Sequence, residues 1–285
     1  MLSYYFNGEI MDYSLDLDLL INTPDKVHEV DMKTGLDTMQ GISDAVRTIA
    51  ETVVTKNIPE KKSPKNKIRT SMKNTIFGSY GLVFSLDAYA DAKESFHLIG
   101  KSVIVELIEY YLAEALDTDS KKLSLKAEKI RDELGNSSIE LISILRGQML
   151  KDAHKVTQHF GYSTNLRYRI KKDKIEILQT FDENTYASLV PKENKQIQTL
   201  EVAITRFNRF TGNGRLQVKG NEDTQAFGFL GYKTVENYLR KKIASNLSNN
   251  TGLGDNQEME FLKIECYSYE RRDGKVMKYM IKKVL

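Results

Sequence analysis

Four histidines, one cysteine and a few carboxylate runs are the groups in this 285-residue chain whose type and spacing bear on chemistry. The histidines are His28, His97, His154 and His159. His154 and His159 stand five apart, which puts them on different faces of a helix, whereas a zinc-protease helix needs a spacing of four with Glu beside the first. The single Cys266 rules out zinc-finger and dithiol patterns and any intrachain disulfide, which fits a reducing compartment. Its place in the alternation Leu262, Ile264, Cys266 predicts a small apolar core residue. A Cys/His nucleophile pair would need that thiol exposed. Gly78-Ser79-Tyr80-Gly81 is followed by no Gly-Lys-Ser/Thr, so it is no phosphate loop, and no Gly-x-Ser-x-Gly elbow occurs. Arg146 and His154 are similar to the Arg/His pair of RNA-cleaving helical toxins but lie too far apart, and both read as surface residues. Asp12, Asp16 and Asp18 invite a metal, yet their spacing follows from the solvated face of an alternating strand, and no Gly-centred calcium loop surrounds them. The expectation is a protein with no catalytic constellation, no metal and no cofactor.

Binding offers more. From Gln196 onward there are 15 Lys and Arg against 10 Asp and Glu, an excess of five, while the remainder carries minus two of the total +3. In this segment Phe207, Arg209, Phe210, Arg215, Lys263, Tyr267, Tyr269 and Lys278 fall out of phase with the apolar alternation. Rings interleaved with cations can stack bases and pair phosphates. They can equally dock a protein or another domain. A second basic stretch runs from Lys56 to Lys73, with Lys61, Lys62, Lys65, Lys67 and Arg69 at its centre; it reads as a loop leading into a strand, solvated or else open to nucleic acid or an acidic partner.

The elements that must carry these residues are legible from period. Leu200, Val202 and Ile204 alternate, Thr211-Gly212-Asn213-Gly214 turns the chain, Leu216 and Val218 resume, and Gly220-Asn221 turns it again. Gln225 to Leu230 is a third strand, Thr234 to Leu247 a helix, and Phe261 to Tyr269 and Lys275 to Val284 a hairpin across Arg271-Arg272-Asp273-Gly274. Three strands, a helix and two strands predict a five-stranded OB-like barrel over residues 196–285. The first 190 residues mix strands (Leu2 to Phe6, Tyr13 to Ile21, Ile76 to Leu86, and a hairpin of Leu166 to Ile170 with Ile175 to Gln179) with helices at Thr34 to Val54, Ser95 to Leu116, Ser120 to Leu134, a stripe from Ile139 to Phe160, and Asp182 to Leu189. Thr34-Gly35-Leu36-Asp37 reads as the capping box of the first helix. The class is α+β, an antiparallel sheet backed by a helical layer, with Val190 to Gln196 as the boundary between the two domains. An apolar share of 40% suits packed cores, and neither a membrane span nor a secretory leader is evident, so a soluble cytoplasmic protein is expected.

Several short motifs carry a resemblance: Gly41-Ile42-Ser43, Gly78-Ser79-Tyr80, Ile204-Thr205-Arg206-Phe207-Asn208, Thr211-Gly212-Asn213-Gly214-Arg215-Leu216 and Gly274-Lys275-Val276. In these the chain resembles a two-part family of uncharacterised proteins from bacteria and their phages, with an N-terminal α+β domain bearing a Gly-Ser-aromatic strand and a closing five-stranded barrel. The resemblance supplies no catalytic residues. Its phage and mobile-element setting implies a role in the contest between virus and host, such as binding and blocking a host defence complex. The expected function is therefore a non-catalytic, oligomeric protein-binding module whose partner is itself or a host defence protein. The alternative is a single-stranded nucleic-acid binder using the barrel.

Overall fold

The computed structural model describes residues 4–6, 9–11, 13–24, 29–60, 66–76, 80–171, 174–190, 192–253, 258–270 and 274–285. Asp12, His28, Lys61, Lys62, Lys65, Gly78, Ser79 and the turn Arg271-Arg272-Asp273 lie outside them. The chain divides into two units, Met1–Leu189 and Val190–Leu285.

In the first unit β1 (Tyr4–Phe6) and β2 (Glu9–Met11) form a small hairpin. The main sheet is antiparallel, in the order β4 (Ile68–Thr75), β5 (Tyr80–Ala88), β3 (Ser14–Asn22), β6 (Ser163–Lys171), β7 (Lys174–Phe181). The two-residue period of β3 sends Leu15, Leu17, Leu19 and Ile21 inward. Leu15 sits opposite Leu86, Leu17 opposite Phe84 and Tyr168, and Leu19 opposite Leu82 and Leu166, so three apolar rungs cross the sheet. β4 was not expected; its residues up to Lys73 fall in the stretch read as a basic loop.

The helices cover that apolar face. α1 (Met32–Thr55) starts at Asp31, whose Oδ1 accepts the Thr34 amide at 2.8 Å, so Asp31 and not Thr34 is the cap. Its stripe Ile42, Val46, Ile49 and Val53 is fully buried. The expected helix from Ser95 to Leu116 is two, α2 (Ala92–Ile99) and α3 (Lys101–Leu116), broken at Gly100, where φ is +85°. α4 (Leu125–Leu134) starts at Leu125, capped by Ser124, later than expected. The stripe from Ile139 to Phe160 belongs to three helices, α5 (Asn136–Leu145), α6 (Gln148–Ala153) and α7 (Lys155–Phe160). α8 (Glu183–Leu189) closes the unit.

In the second unit β8 (Lys192–Phe207) takes up most of the expected linker. It is followed by β9 (Gly214–Val218), β10 (Thr224–Phe229), α9 (Asn237–Asn250), β11 (Leu262–Glu270) and β12 (Val276–Val284). The five strands form a mixed sheet whose hydrogen bonds close into a ring, β10-β12-β11-β8-β9, with β10 and β12 the parallel pair. This is the OB-like arrangement expected from the element order. Val202, Ile204, Leu216, Phe227, Ile264, Cys266 and Ile281 fill it, joined by Ile243 of α9. Asn246 of the same helix is buried; its Oδ1 accepts the Ile204 amide and its Nδ2 donates to Glu260 O, both at 2.8 Å. Tyr238 of α9 is exposed.

Candidate functional site

The outer wall of the second unit carries the residues that a ligand would meet. Where β8 meets β9 its register is shifted by an irregularity. β8 and β9 pair Ile204 with Leu216 in the core, but a bulge follows, and the next rungs are Arg206 opposite Arg215 and Phe207 opposite Gly214. The bulge reverses the phase of β8. Arg206 turns outward, and Phe207, expected on the outer face, turns in. Its ring stacks on Phe227 at 6.2 Å and meets Tyr232 edge-on at 6.3 Å, which closes one end of the core. Phe207, expected as an outer contact residue, is half-buried and packs against the core instead.

From the Arg206–Arg215 rung the outward stripe continues strand by strand. Arg215 is opposite Ala226, Ala226 opposite Lys278, Lys278 opposite Tyr269, and Tyr269 opposite Glu193. Arg215 is fixed by Thr224: Nε donates to Oγ1 at 2.9 Å and Nη2 to the carbonyl at 2.8 Å. Lys278 Nζ donates to Asn213 Oδ1 at 3.2 Å. Ala226 and Gly228 form a low floor between them; a Cβ on Gly228 would lie 3.0 Å from Lys278 Cε and 2.9 Å from Asn213 Oδ1. Tyr267 and Tyr269 sit 6.0 Å apart along β11. Burial pushes the Tyr267 hydroxyl above its ordinary value, and Tyr269 and Glu193 add to the shift. In the β8–β9 turn Arg209 lies over the Phe210 ring at 4.7 Å, and the turn is tied down where Tyr232 donates to Arg209 O at 2.8 Å.

Of the eight residues singled out on this segment, Arg215, Tyr269 and Lys278 come together on the outer wall, and Tyr267 adjoins them but is buried. Arg209 and Phe210 sit in the turn that Asn213 links to Lys278. Lys263 is separate: it is exposed opposite Glu201, roughly 20 Å along the strand from Tyr269 at about 3.4 Å per residue. Arg206, Ala226, Gly228 and Asn213 were missed, because pairing register and a bulge place them and no local pattern announces either.

The basic stretch is partly structural. Lys67 Nζ pairs with Asp91 at 2.6 Å, and Arg69, within β4, lies over the Tyr89 ring at 4.1 Å.

Three residues read as solvated are held in the first unit. Asp18 is 1% exposed, and its Oδ2 accepts from Arg169 at 2.7 Å and Arg167 at 3.3 Å. It sits on the sheet face away from the helices, where two neighbouring guanidiniums cover it. Arg146 donates to Ala115 O at 2.7 Å, Asp117 Oδ2 at 3.0 Å and Ser188 O at 2.6 Å, joining the ends of α3 and α8. His154 is fully buried; Nδ1 lies 2.6 Å from Leu150 O and Nε2 2.8 Å from Thr185 Oγ1. A carbonyl only accepts, so Nδ1 carries the proton and Nε2 accepts from Thr185. Burial lowers this imidazole to a pKa of about 4. Cys266 is buried, and desolvation pushes its thiol up to about 11.

Among the described residues no three His, Cys, Asp or Glu gather as a metal-binding set, and no helix is long and apolar enough to cross a membrane. No protein-family model, no curated protein and no solved structure matches the chain.

Proposed function

We propose that the C-terminal unit binds single-stranded nucleic acid along the outward stripe of Arg206, Arg215, Lys278 and Tyr269, in a reducing, cytoplasmic setting. One observation carries this reading: the register sets Arg206 directly opposite Arg215 on the outer wall, with Lys278 beyond a small-residue floor. Cations aligned along one path attract a polyanion through their summed field. The stripe runs obliquely around a closed ring of strands. A flexible single strand follows such a curved path better than a flat protein surface does. Tyr269 beside Lys278, and Phe210 beneath Arg209, offer rings on which bases stack. No reaction is assigned. Anisotropy titrations with labelled oligo-dT and oligo-U test the reading: affinity should fall steeply with salt, and Tyr269→Ala should cost about 1–3 kcal/mol. Absence of salt-dependent binding to both oligomers would reject it.

A second reading is the self-associating protein-binding module, of phage type and aimed at a host defence complex. It is favoured by the edge strand β7, where a bulge at Leu178 leaves Ile175 and Ile177 on the sheet face away from the helices, 43% and 52% exposed. Light scattering on the intact chain and on Ile177→Lys tests it: a higher-order species should dissociate in the variant. A monomer in both would reject it.

A further inference from the structure

The first unit contains a groove of about 760 Å³ between the end of α1, the start of β4, α2 and α4. Its floor is apolar: Val54, Ala92 and Ile130 are buried side chains, and Ile99 adjoins them. Its rim carries Lys56, Lys67, Lys126 and Lys129 against Asp91 and Glu133, a surplus of two positive charges. The ion pairs across the rim, Lys56 to Glu133 at 2.9 Å and Lys67 to Asp91 at 2.6 Å, are solvent-exposed. Such pairs are held weakly and re-form around a competing anion. Lys126 Nζ donates to Leu98 O at 2.6 Å, so one ammonium is fixed at the rim by a neutral acceptor.

We infer that this groove binds a small organic phosphate, a phosphomonoester dianion carried on an apolar or aromatic body of nucleoside size. Two arguments select that class. A phosphomonoester brings about −1.5 to −2 charges at neutral pH, which balances the rim surplus of two lysines. The apolar floor removes the body of such a ligand from water, and the volume lies within the usual range of small-molecule sites. A free inorganic anion would leave that floor uncovered, and an uncharged nucleoside would leave the rim's surplus of two positive charges unbalanced. The site lies in a different unit from the proposed nucleic-acid stripe and does not depend on it.

Calorimetric titration of the intact chain with AMP, adenosine and inorganic phosphate tests this. AMP should bind with a Kd below about 1 mM, at least tenfold tighter than either half alone. Lys129→Glu should weaken AMP at least tenfold and lower the melting temperature only slightly, because it sits on an exposed helix face where it adds one like-charge pair with Glu133. Tyr269→Ala, on the other unit, should leave AMP binding unchanged. Equal affinity for AMP and phosphate, insensitivity to Lys129→Glu, or loss of binding in Tyr269→Ala would each overturn the assignment.

Discussion

Lys278 and Asn213, 65 residues apart, meet where Nζ donates to Oδ1 at 3.2 Å, and this bond ties β12 to the turn between β8 and β9. The lysine reaches Asn213 by passing over Gly228. The turn carries Arg209 and Phe210, so one hydrogen bond links two parts of the proposed binding stripe. Lys278→Ala removes a phosphate partner as well as the tie. Binding to oligo-dT should weaken, and the slope of log affinity against log salt should fall by about 1. Asn213→Ala removes the tie alone. It should weaken binding less and leave the slope intact. Equal slopes in Lys278→Ala and wild type would remove Lys278 from the interface.

Two glycines separate packing from binding. A Cβ on Gly41 of α1 would lie 2.4 Å from Ala153 N and 2.6 Å from Met149 O, both backbone atoms of α6. The two helices approach too closely there for any side chain, so Gly41→Ala must push them apart. A loss of about 1–3 kcal/mol or more is expected. At Gly228 the corresponding neighbours are the far ends of Asn213 and Lys278, which move at little cost. Gly228→Ala should leave the melting curve nearly unchanged and lower oligonucleotide affinity. Denaturant melts and anisotropy on both variants check the contrast; a stable Gly41→Ala protein would contradict it.

The alternation from Tyr13 to Ile21 was enough to place Leu15, Leu17 and Leu19 inside, because burial on one sheet face imposes that period directly. The same alternation misled at Asp18, whose two arginine partners come 149 and 151 positions later. An apolar stripe passes through a break unaltered, so the pieces divided at Gly100, at Arg146-Gly147 and at His154 looked like long helices. Phe207 was misplaced because a bulge is a backbone event with no residue-type signature of its own. The candidate site suffered most, since it is made by register between strands far apart in the chain.

Asp18 is a sharp test of the first unit. Its carboxylate is buried beneath Arg167 and Arg169, and replacing it by Ala leaves two closely spaced guanidiniums without their shared acceptor. Breaking a buried pair by removing one partner costs about 3–5 kcal/mol; the partial exposure of Arg169 puts the expectation near the lower figure. Asp18→Ala should lower the urea midpoint of the unit strongly, and Arg169→Ala should lower it less because Arg167 remains. If Asp18→Ala melts like wild type, the carboxylate has no structural role.

The buried imidazole of His154 sets a pH limit. In the unfolded chain it takes a proton near pH 6.5; in the folded unit burial delays this to about pH 4. Between those values the unfolded state holds more protons, so stability falls as pH falls. The contribution is fully present above pH 6.5 and is lost progressively down to about pH 4, a span worth about 3 kcal/mol. His154→Gln retains a side chain able to meet Leu150 O or Thr185 Oγ1 but has nothing to titrate. It should be less stable than wild type at pH 7.5 because its bonds are poorer, and the gap should narrow or reverse at pH 4.5. Urea unfolding of both proteins at the two pH values decides the matter. A gap of constant size would mean that some other group governs acid sensitivity in this unit.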